Sequence, residues 1–505
     1  MQLFIQGLIS LCNPLCMGLI FAGVVVGIIF GSMPGLSATM AVALFLPITY
    51  GMEAIPSFAL MMGLYIGAIS GGLITAILIK IPGTPSSVAT CWDGNPMVLR
   101  GEGMKALGSG IVFSFLGTVL SILALIFIAP TLAKIATSFG FFEYFAVSFF
   151  SLTMISTLAS GSMIKGLFSG VLGFMFATVG IAPIDATVRF TFGYKGLMGG
   201  FSTLPVLIGL FAVAELLNAA QQAKFDNGFT ITAPNTKGVK GFGFSMKEFR
   251  EQLPNFFRSS LIGIGIGILP GIGGGTSNIL AYVVAKNQSK HPELFGTGIM
   301  DGVVASESSN NASIGGAMIP LLTLGIPGDA VTAILLGGFT LHELTPGPLL
   351  FTDHADLVYA IFAAMVIASV MMILVEFYGL RIFVKILAVP KHVLLAVVFT
   401  LCAVGAYGNS SRVFDVGAVL LFGVIGYMFS CFNIPSAPFI LGFILGGTAE
   451  TYLRRGLMLS KGNWMPFITK PISCAFIILS LCVIGFTVYR ELHAYYSRKK
   501  QTATK

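Results

Sequence analysis

Long stretches without charged side chains constrain this chain more than any other feature. Residues 1–79 contain one acidic or basic residue, Glu53, and residues 107–142 contain only Lys134. Other apolar runs occupy residues 141–159, 202–217, 359–379, 393–406, 416–432 and 472–489. A helix needs ~20 apolar residues to cross ~30 Å of hydrocarbon. With shorter, interrupted runs included, the sequence predicts about 10–12 membrane segments.

Composition supports a membrane protein. Of the 505 residues, 10% are charged and 55% are hydrophobic, and the mean hydropathy is +0.92. A soluble domain carries about 25% charged residues. Because backbone groups in lipid must be hydrogen-bonded within the protein, the expected fold class is all-α, a polytopic membrane helical bundle. The expected surroundings are a lipid bilayer and no nucleic acid. The seven cysteines include no Cys-x-x-Cys pair, so no metal site is predicted.

Two pairs of similar segments indicate an internal duplication. The GSMPG segment at residues 31–35 resembles the GILPG segment 236 positions later, at residues 267–271. Residues 69–84 resemble residues 314–329, with an offset of 245 positions at the motif that both share. That motif is a glycine pair, an apolar run and then Ile-Pro-Gly. The common order of the two motifs predicts two copies of one structural plan.

The distribution of charge predicts that the two copies have opposite orientations. By the positive-inside tendency, the basic clusters at residues 224–258, 286–290, 454–461 and 498–505 are assigned to the cytoplasm. The loop at residues 341–357 carries three acidic residues and no Lys or Arg, so it is assigned to the external side. The corresponding loop of the first copy carries Arg100 and Lys105. Two inverted-topology repeats with broken or re-entrant helices are typical of secondary transporters, which bind substrate near the midplane.

Four regions are predicted. Residues 1–220 form the first membrane half, and residues 221–257 form a cytoplasmic linker that contains an amphipathic helix. Residues 258–490 form the second half, and residues 491–505 form a basic cytoplasmic tail. Two readings of residues 257–286 stay open, a broken spanning helix or a re-entrant hairpin.

Breaks in membrane helices are the first places to look for a binding site. An unpaired backbone group in hydrocarbon costs several kcal/mol unless it lines a wet cavity or meets a ligand. The breaks predicted to line the site are Pro34, Gly35, Pro82, Gly83, Pro270, Gly271, Pro327 and Gly328.

The break after the first apolar repeat is one candidate substrate site. Ser86 or Ser87 is predicted to cap a new helix, whose N-terminus, with the hydroxyl of Thr84, suits a carboxylate. A cap and kink without a ligand is the alternative. Lys80, which precedes this break, is a candidate substrate ligand because ionisable residues at membrane depth are usually functional. Snorkelling of its side chain to the interface is the alternative.

The polar run before the second apolar repeat is the other candidate. Ser308, Ser309, Asn310 and Asn311 offer small neutral groups that can bind an anion or a small cation, and interhelical hydrogen bonding is the alternative. Glu307 and Asp329 are the candidate ion-coupling residues. A third possibility is that Lys80 and Asp329 pair with each other across the pseudo-symmetric cavity.

Two enzyme or pump signatures are absent from the sequence. It has no G-x-x-x-x-G-K-[ST] segment for ATP. His342 begins a His-Glu-x-x-His-like segment, but Pro346 stands in place of the second histidine. We therefore expect no enzyme activity, although a membrane enzyme acting on lipid-linked substrates is the rival class.

Several long blocks resemble a known family, the large membrane subunit of the tripartite tricarboxylate transporters (the TctA-type permeases). They cover residues 27–47, 79–97, 263–275, 301–329, 346–351 and a C-terminal block between residues 404 and 454. Glu307, Asn310 and Asn311 match the family's Asn-Asn segment. Lys80 stands where relatives usually carry Asn, and Asp329 where they usually carry Ser.

The resemblance implies a multi-pass protein of the bacterial inner membrane that imports an organic acid. It implies a Na⁺ or proton gradient as the driving force, Na⁺ as one candidate bound ion, and no cofactor. The implied partners are a small four-helix membrane subunit and a periplasmic substrate-binding protein. The implied substrates are small organic carboxylates, namely di- and tricarboxylates and some aromatic acids. A stand-alone carboxylate carrier is the alternative within transport.

Overall fold

The computed structural model describes residues 2–33, 36–158, 163–222, 241–386, 399–400, 402–404, 406–407 and 412–503. The helices are α1 (Gln2–Leu11), α2 (Pro14–Ser32), α3 (Ala38–Phe45), α4 (Ala54–Ile79), α5 (Thr90–Leu99), α6 (Gly103–Ala136), α7 (Phe141–Leu158), α8 (Met163–Ala177), α9 (Thr203–Leu207), α10 (Ala214–Gln222), α11 (Met246–Ile268), α12 (Gly273–Gln288), α13 (Met300–Leu324), α14 (Ala330–Leu341), α15 (Leu350–Asp353), α16 (Ala355–Ile386), α17 (Val413–Cys431), α18 (Ser436–Leu459), α19 (Met465–Thr469) and α20 (Pro471–Ala503). The shorter elements are 3-10 turns at Leu46–Thr49, Pro85–Ser87, Lys195–Leu197 and Pro292–Leu294, a π turn at Ile208–Val213, and the antiparallel strands β1 (Gly180–Ile181) and β2 (Val188–Arg189).

Six helices in the described part of the chain are long and apolar enough to cross a membrane. They are α2, α4, α6, the first part of α16, α17 and the first part of α20, and six shorter apolar helices accompany them. Other helices enclose α4 almost completely, whereas most of α20 is exposed and therefore free to face lipid. The predicted all-α, polytopic membrane bundle is confirmed.

Glycine contacts repeat between the two halves with the spacing seen in the sequence. A Cβ atom added to Gly71 of α4 would lie 2.6 Å from the carbonyl oxygen of Ile28 in α2. One added to Gly316 of α13 would lie 2.6 Å from that of Ile264 in α11. Gly316 lies 245 positions after Gly71, and Ile264 lies 236 positions after Ile28, so the two contacts reproduce the two sequence offsets. Both helix pairs therefore pack backbone against backbone in the same register, which requires glycine.

Most of the difference between the two offsets comes from one connection. Residues 50–53 lead into α4 in the first half, whereas residues 289–299 lead into α13 in the second. Asp93 of α5 holds the longer connection, because its Oδ1 accepts three backbone N–H bonds at 2.8–3.1 Å. Its Oδ2 accepts a hydrogen bond from the Tyr282 hydroxyl at 2.8 Å. The inserted segment is thus tied to the first half of the protein.

Helix directions show that the repeats are inverted. Helix α6 starts beside the C-terminal end of α4, and its Gly110 contacts the last turns of that helix. Further along, Ser114 contacts Glu307 of α13 and Ser121 contacts Gly315, so α6 and α13 are parallel. Helix α13 therefore runs against α4, its counterpart in the first repeat.

Helices α11 and α12 form a re-entrant hairpin. Arg258 of α11 donates a hydrogen bond to Gln288 of α12 at 3.0 Å, so α12 returns to the level from which the hairpin entered. The helix from Arg258 to Ile268 rises ~15 Å, about half the thickness of the hydrocarbon. If Arg258 lies at the membrane surface, as its charge predicts, the tip at residues 269–272 reaches the midplane.

The amphipathic part of the predicted linker is the first half of α11. Ser245 and Glu248 form a capping box at its start. An ion pair with Lys105 of α6 at 2.5 Å, together with the bonds from Ser245, lowers the pKa of Glu248 to about 2. The predicted boundary at residues 257/258 falls inside this helix. Residues 223–240 of the linker and residues 504–505 of the tail lie outside the described residues.

The basic cluster at residues 454–461 and the acidic loop at residues 341–357 are predicted to lie on opposite sides of the membrane, and these two predictions cannot both be right. A cleft of about 980 Å³ is lined both by Arg455 of this cluster and by Glu343 of the predicted external loop. Groups that line one cleft lie on the same side of the membrane. The positive-inside bias acts on the balance between the two sides, and the larger basic clusters around residues 224–258 can outweigh a small one, so we expect the cluster at residues 454–461 on the external side.

Ion pairs give part of this basic cluster a structural role. Arg454 pairs with Asp185 at 2.9 Å and with Glu450 at 3.0 Å. The bond from Arg454 lowers the pKa of the Asp185 carboxyl to about 2. Arg189 of β2 also pairs with Glu450, at 2.7 Å. These contacts attach the hairpin of β1 and β2 to α18.

Candidate functional site

Helix α13 carries the polar run into the centre of the bundle. Its residues from Gly302 to Thr323 are all buried, and it packs against α4, α5, α6, α11 and α12. The side chains from Ser306 to Asn311 have no exposed surface. Buried polar groups at this density need hydrogen-bond partners from neighbouring helices or from a ligand.

Glu307 lies in a cage of neutral donors. Its Oε1 accepts a hydrogen bond from Thr90 of α5 at 2.5 Å. Its Oε2 accepts one from Ser114 of α6 at 3.1 Å and a longer one from Asn311 at 3.4 Å. Among the described residues, no Lys, Arg or His pairs with it. The carboxyl and hydroxyl oxygens here are hard ligands of the kind that bind a proton or a small cation, and the role of Glu307 in ion coupling stays a prediction.

The two asparagines of the run have different surroundings. Asn311 is satisfied, because its Nδ2 donates to Ser114 at 2.8 Å and to the Glu307 carbonyl at 3.2 Å. Nδ2 and Oδ1 of Asn310 are buried and make no hydrogen bond of normal geometry, although the side chain lies near enough to Glu307 to act on its carboxyl. The hydroxyl of Ser308 is also buried without a partner. An unpartnered buried amide costs about 1–3 kcal/mol, so Asn310 marks a position that a ligand would satisfy.

Asn310 lies where broken segments of both repeats meet. A Cβ atom added to Gly274, just after the tip of the α11–α12 hairpin, would lie 2.6 Å from Asn310 Oδ1. The same atom would lie 3.2 Å from Cβ of Ser86, in the 3-10 turn after the first Ile-Pro-Gly. The structure therefore brings Ser86 and Asn310, two predicted substrate ligands, to one place. Ser309 is used differently, since its hydroxyl donates to the Ser277 carbonyl at 3.0 Å.

The two Ile-Pro-Gly turns end in equivalent capping boxes. Thr84 caps the first, with Ser87 as its reciprocal partner, so the prediction that Ser86 or Ser87 is the cap is wrong. Asp329, 245 positions later, caps α14 with Thr332 as its partner. The capping residue is the one at which the extended turn becomes helical, and that point comes directly after glycine in both copies.

Asp329 does not pair with Lys80. Its Oδ2 accepts a hydrogen bond from the Tyr65 hydroxyl at 2.6 Å, and its Oδ1 accepts from Thr332. The ion pairs of the described residues include none between Asp329 and Lys80. Its role in ion coupling stays a prediction.

Lys80 ends α4 in the left-handed conformation, with φ 59°, and its side chain is exposed. Its counterpart Gly325 ends α13 in the same conformation, with φ 70°. The left-handed backbone conformation brings the Cβ of a lysine into a steric clash. Glycine has no Cβ and avoids this clash, and asparagine adopts the conformation at a lower energy than lysine does.

Lys80→Asn is therefore expected to raise the free energy of unfolding by about 1 kcal/mol and to leave transport unchanged. Thermal unfolding of the purified protein and an uptake assay measure the two effects. Lys80→Gln is the matched control, since it removes the charge but keeps the strained backbone and is expected to bring no gain in stability. Loss of uptake in both variants would instead place Lys80 in contact with the substrate.

The other predicted breaks that the structure describes lie in the two Ile-Pro-Gly turns and at the tip of the α11–α12 hairpin. Gly83 packs against the Gly31 carbonyl of α2, and its counterpart Gly328 packs against the Gly267 carbonyl of α11. A Cβ atom added to Gly328 would lie 2.5 Å from the Gly267 carbonyl oxygen. Gly271 forms the hairpin tip with φ 75°. Pro82, Pro270 and Pro327 stand in the three described turns. Pro34 and Gly35 lie outside the described residues.

Comparison with known proteins identifies the family of this chain. The profile of the tripartite tricarboxylate transporter TctA family matches residues 17–441. This chain belongs to the TctA family. It is 36% identical over 465 residues to the uncharacterised 52.8 kDa protein in the TAR-I ttuC' 3' region of Agrobacterium vitis, covering 92% of this chain and 91% of that protein. It is 37% identical over 220 residues to the uncharacterised protein in the TAR-II ttuC' 3' region of the same organism, covering 43% of this chain and 91% of that protein. No solved structure matches the chain.

Sequence reasoning missed several polar groups of this TctA-family protein. Thr90 and Ser114 hold Glu307; Thr90 lies three residues beyond the predicted Ser87, and Ser114 lies within the apolar run of α6. Tyr65 donates a hydrogen bond to Asp329, but an aromatic residue inside an apolar helix such as α4 does not by itself indicate a functional site. Glu376 had a signal, because it is an acidic residue inside the apolar run at residues 359–379. The rule that selected Lys80 applies to it equally.

Proposed function

We propose that this chain is the large permease subunit of a binding-protein-dependent secondary transporter in the bacterial inner membrane. It imports a di- or tricarboxylate or a related organic acid, driven by a Na⁺ or proton gradient. The observation that carries the proposal is the unpartnered, buried amide of Asn310, where broken segments of both repeats meet. Its Nδ2, with the hydroxyl of Ser86, offers hydrogen-bond donors to a carboxylate.

The position of Glu307 supplies a physical reason for ion coupling. Residues three apart on a helix lie about 5–6 Å from each other, so a carboxylate bound at Asn310 comes close to Glu307. Two like charges at that distance repel by ~3 kcal/mol at an effective dielectric constant of ~20. A cation or proton on Glu307 removes this repulsion. Substrate and ion are therefore expected to bind together.

The cleft of about 980 Å³ provides the external approach to this site. It reaches Gly325 and Ile326, which begin the second Ile-Pro-Gly turn. The binding protein delivers the substrate from this side, and the small four-helix subunit packs against the membrane-facing surface. Rearrangement of the broken segments relative to α13 then opens the site to the cytoplasm.

Uptake of labelled citrate, succinate and benzoate by cells that express all three subunits tests the proposal. We expect uptake of at least one acid that falls when the Na⁺ gradient is removed or a protonophore is added. Omitting each partner in turn separates the tripartite system from a stand-alone carrier, which would keep its uptake. Absence of uptake for a wider panel of organic acids under every ion gradient would contradict the proposal.

A further inference from the structure

A second carboxyl group is buried in the bundle and has no part in the proposed substrate site. Glu376 lies on α16, in the stretch of that helix that is apolar enough to cross a membrane. Its side chain has no exposed surface. Its Oε2 accepts a hydrogen bond from Ser70 of α4 at 3.0 Å, and its Oε1 is buried without a partner.

Among the described residues of the helices that pack against α16, none supplies a positive charge to Glu376. The titratable or charged groups on α1, α2, α4, α6 and α15, which pack against α16, and on the neighbouring α13 are Cys16, Tyr65, Lys105, Lys134, Asp353, Asp301 and Glu307. Asp301 accepts a hydrogen bond from Gln252 at 2.9 Å. Lys105 is paired with Glu248 at 2.5 Å, Tyr65 donates to Asp329, and Lys134 and Asp353 are exposed. Glu307 is the one whose charge acts on Glu376, and it is also acidic.

We propose that Glu376 is a second proton-binding site of this transporter, loaded and emptied during the transport cycle. The inference rests on the proposed function for its place in that cycle. A buried carboxylate with a single hydroxyl donor and a like charge nearby is stable only when it is neutral, and a proton is the ligand that neutralises it without further coordinating groups. Among the described residues, no group of three or more His, Cys, Asp or Glu side chains offers a metal site as an alternative.

Ser70 connects Glu376 to α4, the helix that ends at the first broken segment. It lies on α4 one position before Gly71, which packs against α2, and nine positions before the end of the helix at Ile79. A shift of α4 against α16 would break the bond between Ser70 and Glu376 and change the affinity of the carboxyl for its proton. Proton binding at Glu376 is thereby linked to the arrangement of the two repeats.

Infrared spectroscopy of the purified, full-length protein tests proton binding without a known substrate. We expect the wild type at neutral pH to show the carbonyl band of a protonated carboxylic acid, and Glu376→Gln to lose part of that band. Glu307→Gln identifies any contribution from the other buried acid. A band that is absent from the wild type, or unchanged in Glu376→Gln across the pH series, would overturn the proposal.

Vesicles that contain all three subunits and an internal pH-sensitive dye test the place in the cycle. During uptake of citrate, succinate or benzoate, the wild type is expected to acidify the interior of the vesicles. In Glu376→Gln, the rate of acidification is expected to fall by a factor at least ten times larger than the factor by which substrate exchange falls. Equal proton flux in both would exclude the cycling of this proton.

Ser70→Ala keeps the carboxyl and is expected to shift the pH profile of uptake. If Glu376→Gln does not fold, Glu376→Asp is expected to move the infrared band and the pH profile, and identical values would reject the site. If the wild type transports no acid, the proposed function fails while the infrared result still stands.

Discussion

Glu307→Gln is expected to abolish ion-driven uptake while the protein stays folded. Glutamine has nearly the same shape, and the hydroxyls of Thr90 and Ser114 can rotate to accept as well as donate, so the cage around position 307 survives. What is lost is the charge that binds the coupling ion. A hydrogen bond or ion contact to a charged group is worth about 1.5–3 kcal/mol, which corresponds to a loss in ion affinity of about 10- to 150-fold.

Two transport modes distinguish this loss from simple damage. Uptake against a gradient needs the ion to bind and leave, so it is expected to fall in Glu307→Gln by the factor above. Exchange of labelled for unlabelled acid at equal concentrations needs only the substrate site, so it is expected to persist. Glu53→Gln is the matched control, because Glu53 is exposed at the start of α4. Ion-dependent uptake at the wild-type level in Glu307→Gln would rule out a coupling role.

The duplication was predictable from sequence because its glycines are fixed by backbone contact. Gly71 and Gly316 each face a carbonyl oxygen of a neighbouring helix, and no larger residue fits there. Such positions keep their spacing while the side chains around them diverge. The polar run of α13 illustrates that divergence, since Glu307 has the apolar Met62 as its counterpart 245 positions earlier. The repeat is therefore visible in the breaks rather than in the site itself.

The exact partners within the site were not predictable, because they depend on which helix faces come together. Ser114 and Thr118 lie one turn apart in the apolar α6, and Thr118 also bonds to the Ser114 carbonyl of its own helix at 2.9 Å. From the sequence, that local bond is a sufficient reason for the residue. Only the parallel packing of α6 on α13 shows that the same side chains meet Glu307 and Asn311. The side of the membrane on which residues 454–461 lie likewise required the cleft that they share with the external loop.

Gly274→Ala is expected to reduce uptake by ten-fold or more, whereas Gly275→Ala has little effect. The two glycines are neighbours at the start of α12, so both changes bring the same gain in helix propensity, about 1 kcal/mol. They differ in what the new methyl group meets. At position 274 it would lie 2.6 Å from Asn310 Oδ1 and 3.0 Å from Ser313 Oγ, whereas at position 275 the nearest atom is 3.5 Å away.

The clash at position 274 outweighs the gain in propensity. Overpacking a buried site costs about 1–3 kcal/mol, and the least costly relief is for the unpartnered Asn310 side chain to turn away. Its amide would then leave the position from which it is proposed to bind the carboxylate, and a loss of about 1.4 kcal/mol in binding is already ten-fold. Uptake kinetics and thermal unfolding of both variants measure the two effects separately. Equal uptake by Gly274→Ala and Gly275→Ala would move the substrate away from Asn310, and since Glu307 derives its proposed role from that proximity, the coupling argument would have to be rebuilt around another residue.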